Sequence, residues 1–179
     1  MKIHVGCGKR NFGSSWVNVD KSVFPHVTHD DIFNLPCASG EADIIYSSHV
    51  IEYFDREEII ELLKSWHRAL KIGGTLRIAV PDFEVLARLY IEKCCDLSKI
   101  LGPLYGKMVS GDNVIFHKTI YDFDSLKSLL ERCGFISVRR YDWRETDHSH
   151  HDDHSQAYIP HMEKEKGTLI SLNIECIKP

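Results

Sequence analysis

Residues 3–20 read IHVGCGKRNFGSSWVNVD, and this opening constrains the chain more than any other stretch. Apolar and polar residues alternate through Ile3–Val5, break at Gly6-Cys7-Gly8, and alternate again through Trp16–Val19 before Asp20. Strand, glycine turn, strand and closing acid form the start of a nucleotide-binding α/β fold. A crossover between parallel strands usually takes a dozen or more residues and carries a helix. Only Gly6 to Ser15 are free to make this one. Extended at about 3.3 Å per residue, that stretch still outreaches a strand of about 17 Å. The sequence therefore predicts two parallel strands joined by an irregular loop, with the first helix missing.

The rest of the chain supplies further strands and helices. Strand-like runs follow at His26–Asp30, Ala42–Ser48, Thr75–Pro81, Phe135–Trp143 and Leu169–Ile177, so a sheet of about seven strands is expected. Three helices are signalled. One spans Asp55–Leu70, with Asp55 as N-cap, Glu58 three residues on, and a stripe of Ile59, Leu62, Leu63, Trp66 and Leu70. Another begins at Asp82, and a third near Asp124 is closed by Gly134. Strands alternating with helices indicate an α/β sheet.

The strands carry a further pattern. A strand covered on both sides reads as a continuous apolar run, whereas Ile3 and Val5 flank His4, Val17 and Val19 flank Asn18, and Arg77, Arg139 and Glu175 alternate with apolar neighbours. One sheet face is expected to be packed. The other, holding His4, Asn18, Arg77, Arg139 and Glu175, is expected to be poorly covered, with little or no helix over it. The helices all lie after Asp55, and right-handed crossovers in one direction place them on one face.

The 179 residues, 43% hydrophobic, fit one domain spanning 1–179. A net charge of −4 with dispersed Lys and Arg argues against a nucleic-acid or anionic-membrane partner. No apolar run is long enough to cross a membrane, and no leader peptide is visible. The six cysteines form no CxxC pair, as in a cytoplasmic protein with reduced thiols.

GCG alone is weak evidence, because tight turns often use it. Asp20 strengthens it: a carboxylate ending the neighbouring strand can accept both hydroxyls of a ribose. The run GCGKRN lacks the third glycine of the dinucleotide fingerprint, and no helix follows to hold a pyrophosphate. A cofactor with adenine and ribose but no phosphate fits better than NAD.

Five segments in order then resemble class I S-adenosylmethionine-dependent methyltransferases: HVGCG, VNVD, DIFNLP, ADIIYSSHVIEYF and LKIGGTLRIAVPD. The likeness is to a compact, mostly prokaryotic subgroup of the methyltransferase type 11 kind, with a curtailed N-terminal half. The resemblance implies a Rossmann-like, mostly parallel sheet with an antiparallel last strand. It also implies S-adenosylmethionine as cofactor and S-adenosylhomocysteine as product. Gly6, Cys7 and Gly8 would border the cofactor through the backbone, and Asp20 would hold the ribose. Asp31 would meet the adenine amino group, with Ile32 beside it, and Ser47 and Ser48 would close the end of the fourth strand. The family's early helices are absent, so cover from another segment or from a second copy in a homodimer is a further expectation.

Methyl transfer from a sulfonium is an in-line displacement with a neutral leaving group. The protein must chiefly hold the acceptor, and a base is needed only where the acceptor loses a proton. His49, just past the fourth strand, is the candidate base; a loop hydrogen-bonder is its plain alternative. His117 is the second candidate, with Lys118 beside it, for binding an acidic acceptor. The run TDHSHHDDH lies in a long segment, Arg144–Gly167, expected as a lid on the cofactor side. Its histidines could bind zinc or nickel, but a polar loop with no dedicated metal is the reading adopted. The expected activity is methyl transfer to a small molecule or glycan precursor. The alternatives are a non-catalytic cofactor-binding module and a metal-binding protein using the histidine loop.

Overall fold

The computed structural model describes residues 1–110 and 113–179. In chain order the elements are β1 Lys2–Val5, β2 Trp16–Val19, β3 Ala42–Ser48, α1 Glu58–Ala69, β4 Leu70–Pro81, α2 Phe83–Ile91, α3 Leu97–Tyr105, β5 Lys107–Ser110, β6 Asn113–Phe116, α4 Phe123–Arg132, β7 Ile136–Arg140, β8 Tyr158–Ile159, β9 Thr168–Leu169 and β10 Ser171–Ile177. The main sheet has the order β2-β1-β3-β4-β10-β7. Strands β2, β1, β3 and β4 run parallel, and β10 is antiparallel to both β4 and β7. The short crossover from β1 to β2 is indeed an irregular loop.

Six strands stand where about seven were expected. The run His26–Asp30 contributes only a bridge, Val19 to His29, because too few apolar residues anchor it at the sheet edge. The start of the first helix matches its sequence signal. Asp55 Oδ1 accepts from the Glu57 and Glu58 amides at 3.0 and 2.9 Å, while the Asp55 amide donates to Glu58 Oε2 at 3.0 Å. Asp122 and Ser125 form a second reciprocal cap ahead of α4. Helix α3 escaped the sequence reading because Gly102 and Pro103 interrupt its pattern. It packs Ile100 with Leu86, Leu89 and Ile170 in a small separate cluster.

The main core lies on one sheet face. Ile3, Val5, Ile45, Leu76, Ile78, Val80, Leu172 and Ile174 meet the apolar stripes of α1 and α4 there. The opposite face carries one polar row across all six strands: Asn18, His4, Tyr46, Arg77, Glu175 and Arg139 are successive cross-strand partners. Arg77 and Arg139 both donate to Glu175, at 3.0 and 2.7 Å.

This face is not as open as the sequence reading held. His4 is 1% exposed and Asn18 3%. Phe12 from the β1–β2 loop and Trp16 from the start of β2 fold over them, with the Phe12 ring stacked 3.9 Å from that of His4. The segment after β7 supplies the rest of the cover. It makes 3-10 turns at Trp143–Glu145 and His154–Gln156, and it pairs β8 with β9. Tyr46 Oη donates to Asp153 Oδ2 at 2.5 Å, and Asn173 Nδ2 donates to the Ser155 carbonyl at 2.9 Å. The His148 ring lies 4.1 Å from Tyr46 and 5.1 Å from Phe12. The histidine segment is therefore mostly a roof for the polar face, where a rim lid was expected.

Stability should follow this asymmetry. Tyr46→Phe should cost about 1.5–3 kcal/mol in urea unfolding, because it removes a hydrogen bond to a buried carboxylate. Val5→Asp should cost several kcal/mol through an unpaired buried charge. Arg139→Ala, at the exposed edge of the same polar row, should cost under about 1 kcal/mol.

Candidate active site

Parallel strands β1, β2 and β3 end together, and the candidate residues collect at those ends. Gly6 and Gly8 adopt φ of 66° and 54°, a region that favours glycine. A side chain at Gly6 would also strike Val50, with an added Cβ only 2.1 Å from Val50 Cγ2. The turn after β3 therefore lies directly against the glycine turn. The turn's amides are bonded internally: Gly6 and Cys7 donate to the Val19 carbonyl at 2.8 and 3.4 Å, and Gly8 donates to Asp20 Oδ2 at 2.8 Å. No nest for a pyrophosphate remains there. Burial pushes the Cys7 thiol up to about 12, so it stays a thiol.

Asp20 Oδ1 accepts from the Ser22 amide at 2.7 Å. A carboxylate has about four lone-pair directions, so Asp20 keeps room for ribose hydroxyls. Asp31 is exposed and folds onto its own turn; the Asn34 side-chain amide and the Phe33 amide hold it below the usual carboxylate range. Ile32 lies in the main core, and its carbonyl accepts from Trp66 Nε1 at 2.8 Å. Ser47 and Ser48 occupy successive positions and face opposite sides of the sheet. Both hydroxyls are buried and without a partner.

His49 adopts φ of 54°, uncommon for a non-glycine residue. Its amide donates to the Ala79 carbonyl at 2.8 Å. Its Nδ1 lies 3.3 Å from Glu52 Oε1, and its Nε2 is buried without a partner. Glu52 is the middle residue of the 3-10 turn Ile51–Tyr53 and is 0% exposed. Burial raises its carboxyl to about 8 and pushes His49 well below the ordinary imidazole range. His117 arrives from the far side, its Nε2 3.8 Å from Glu52 Oε1, and the Lys118 and Thr119 amides donate to the Glu52 carbonyl at 2.8 and 3.1 Å. A cavity of about 290 Å³ lined by Phe83, Leu104, Tyr105, His117, Lys118, Thr119 and Ile120 opens beside His117.

Strand ends and loops thus bring His49 and His117 together around Glu52. The signal for Glu52 was present: it is the one charged residue in the apolar run Val50–Phe54. His154, from the segment over the polar face, completes the cluster with its ring 5.0 Å from that of His49. Arg10 Nε donates to the Asp152 carbonyl at 2.9 Å and ties that segment to the glycine loop. Lys118 is paired with Glu58 at 2.8 Å and points away from the cluster. His148 lies against Tyr46, His151 against Phe12, and His150 beside His151. Among the described residues, no three His, Cys, Asp or Glu side chains have a geometry that would hold a metal ion. No helix among them is long and apolar enough to cross a membrane.

Comparison with known proteins bears on the fold. Residues 12–78 match the model of a methyltransferase domain family. That span holds Asp20, Asp31, Ser47, Ser48, His49 and Glu52 and begins just after the glycine turn. A solved S-adenosylmethionine-dependent methyltransferase from Thermotoga maritima, described as a possible histamine N-methyltransferase, superposes with a TM-score of 0.60 at 18% identity, over 99% of this chain and 82% of that one. This is a class I methyltransferase fold. An S-adenosylmethionine-dependent methyltransferase from Archaeoglobus fulgidus gives a TM-score of 0.57 at 16% identity, over 99% of this chain and 85% of that one. The 1,6-didemethyltoxoflavin-N1-methyltransferase of Burkholderia thailandensis, solved with 1,6-didemethyltoxoflavin and S-adenosylhomocysteine, gives 0.56 at 12% identity, over 99% of this chain and 70% of that one. No curated protein matches the sequence. Within the methyltransferase fold described here, the polar sheet face is roofed by the segment after β7.

The raised Glu52 sets a pH dependence. Its folded state keeps a proton that the unfolded chain, with an ordinary value of 4.5, has already lost. That contribution is fully present below about 4.5 and disappears as pH rises through 8. Buried histidines act the other way: burial holds His4 at about 3 and His148 at about 4, against 6.5, so their effect is confined to lower pH. Between pH 6.5 and 8, thermal unfolding should show stability falling by about 2 kcal/mol. Glu52→Gln should remove that fall.

Proposed function

We propose that the chain transfers a methyl group from S-adenosylmethionine to a small-molecule acceptor. The observation that carries the reading is the set of unpaired buried polar atoms at the end of β3, on Ser47, Ser48, His49 and Glu52, in a stretch whose Val50 packs against Gly6. Unpaired buried polar groups are costly, and a bound polar cofactor and acceptor would satisfy them. The donor set suits that cofactor. Asp20 offers free lone pairs for a ribose, and the internally bonded turn suits a ligand without phosphate.

The bound cofactor would supply an electrophilic methyl group. The chain's own residues then exclude water, orient the acceptor and manage a proton. His117 lines the cavity beside α3 and is the residue through which an acceptor would approach. Relatives named for methyl transfer to nitrogen support a small acceptor. His49 and His117 are the proposed catalytic residues. The protein is read as one domain, 1–179, acting without nucleic acid or membrane. A non-catalytic cofactor holder is the second reading.

Calorimetry should show S-adenosylmethionine and S-adenosylhomocysteine binding. Asp20→Ala should weaken both about 10-fold or more, because a charged acceptor worth about 1.5–3 kcal/mol per bond is lost. Absence of binding, or tighter binding of NAD, would defeat the assignment. Binding without turnover on a metabolite mixture would favour the holder.

A further inference from the structure

We infer that Glu52 is the counter-charge for the cofactor's sulfonium and the final holder of the proton that a protic acceptor gives up. The inference rests on the cofactor reading above and deepens it by naming the acceptor class.

The geometry is that of a carboxyl with nothing to neutralise it. Glu52 is 0% exposed, and neither carboxyl oxygen has a hydrogen-bond partner. Its near neighbours are His49 Nδ1 at 3.3 Å and His117 Nε2 at 3.8 Å. His117 Nδ1 lies 3.1 Å from the Pro103 carbonyl and so carries the ring proton, leaving the Nε2 lone pair toward Glu52. The ring is seated on Gly106, where an added Cβ would lie 2.0 Å from Nε2.

The other titratable groups around the cluster supply no resident cation for Glu52. Tyr53 comes from the same turn, its ring 4.7 Å from His117. Tyr121, bonded to Thr119 at 3.1 Å, comes from the segment before α4. His154 comes from the roof segment, and Arg10 from the glycine loop acts at His49. Among the described residues no Lys or Arg pairs with Glu52. Val50 against Gly6 places the turn carrying Glu52 beside the proposed cofactor site.

A buried carboxyl in such a setting rests protonated, consistent with its value of about 8. A cation entering the same enclosure favours ionisation, so Glu52 releases its proton as the sulfonium binds. The loaded site is then neutral, one positive and one negative charge. In the transfer, the methyl–sulfur bond breaks with its electron pair staying on sulfur, and a bond from the acceptor atom to the methyl carbon forms. The acceptor's proton passes to Glu52, directly or through His49 or His117. The site is again neutral, and no uncompensated charge remains buried. Neither histidine keeps the proton, because burial disfavours its cationic form. This bookkeeping suits a neutral acceptor with a removable proton, such as an amine, a hydroxyl or a heteroaromatic N–H. A carboxylate acceptor would release no proton and would leave Glu52 ionised and unpaired.

The test compares the sulfonium with its neutral thioether. S-adenosylmethionine and S-adenosylhomocysteine are each titrated into the wild-type protein at pH 7 in phosphate and in Tris, whose ionisation enthalpies differ. The expected result is release of most of one proton with S-adenosylmethionine and little with S-adenosylhomocysteine. Glu52→Gln should abolish the release and weaken S-adenosylmethionine relative to S-adenosylhomocysteine about 10-fold. The wild-type comparison decides the matter even if that variant fails to fold. Equal proton release with both ligands, or release that persists in Glu52→Gln, overturns the inference and leaves the cofactor reading standing. If neither ligand binds, the cofactor reading falls and the inference falls with it.

Discussion

The bond from Tyr46 Oη to Asp153 Oδ2 is where the two halves of the structure meet. The loop from β1 to β2 is too short for a helix, so no helix follows the first strand. A sheet face with buried polar side chains still has to be satisfied. The segment after β7 does this by crossing back over β4 and β10, hydrogen-bonding Tyr46 and Asn173, and stacking His148 against Tyr46. With Phe12 and Trp16 folded in from the other side, the face closes on an aromatic and imidazole layer. Burial holds His4 and His148 neutral, which lets three ring types pack without like-charge repulsion.

The same roof shapes the site. Its far end delivers His154 to His49, and its backbone meets Arg10. The segment that replaces a missing helix thereby also contributes a histidine to the His49–Glu52 cluster. On the opposite side, Lys118 and Thr119 tie the segment after β6 to the Glu52 carbonyl, and α3 supplies Pro103 to orient His117. Four separated pieces of chain converge on one carboxyl that no single piece could have desolvated. Rigid strand ends hold this cluster, and the more exposed α2–α3 region forms the rim of the cavity beside it.

Much of this is legible in the amino-acid sequence. Period-two alternation in β1, β2, β4 and β10 assigns each residue a face, and the face assignments of His4, Asn18, Arg77, Arg139 and Glu175 hold in the register. Asp55 with Glu58 marked a helix start because the reciprocal cap is a local bond pattern. The glycine turn and the ends of β2 and β3 placed the candidate cofactor residues. Local signals failed where the cause was distant. His26–Asp30 has strand-like residues but too little beneath them to continue the sheet, and Gly102 with Pro103 hid α3.

By itself, then, the sequence determined the parallel sheet, the missing first helix, the polar row and the glycine turn, because backbone geometry and side-chain periodicity act over a few residues. Only the tertiary structure decided that the polar row is buried and that the histidine segment roofs it. It alone made Glu52 a protonated acid between two imidazoles. Desolvation and the proximity of charges depend on what folds back from far along the chain. Nothing in HVIEYF could say that His117 and the segment after β7 would close around its one carboxylate.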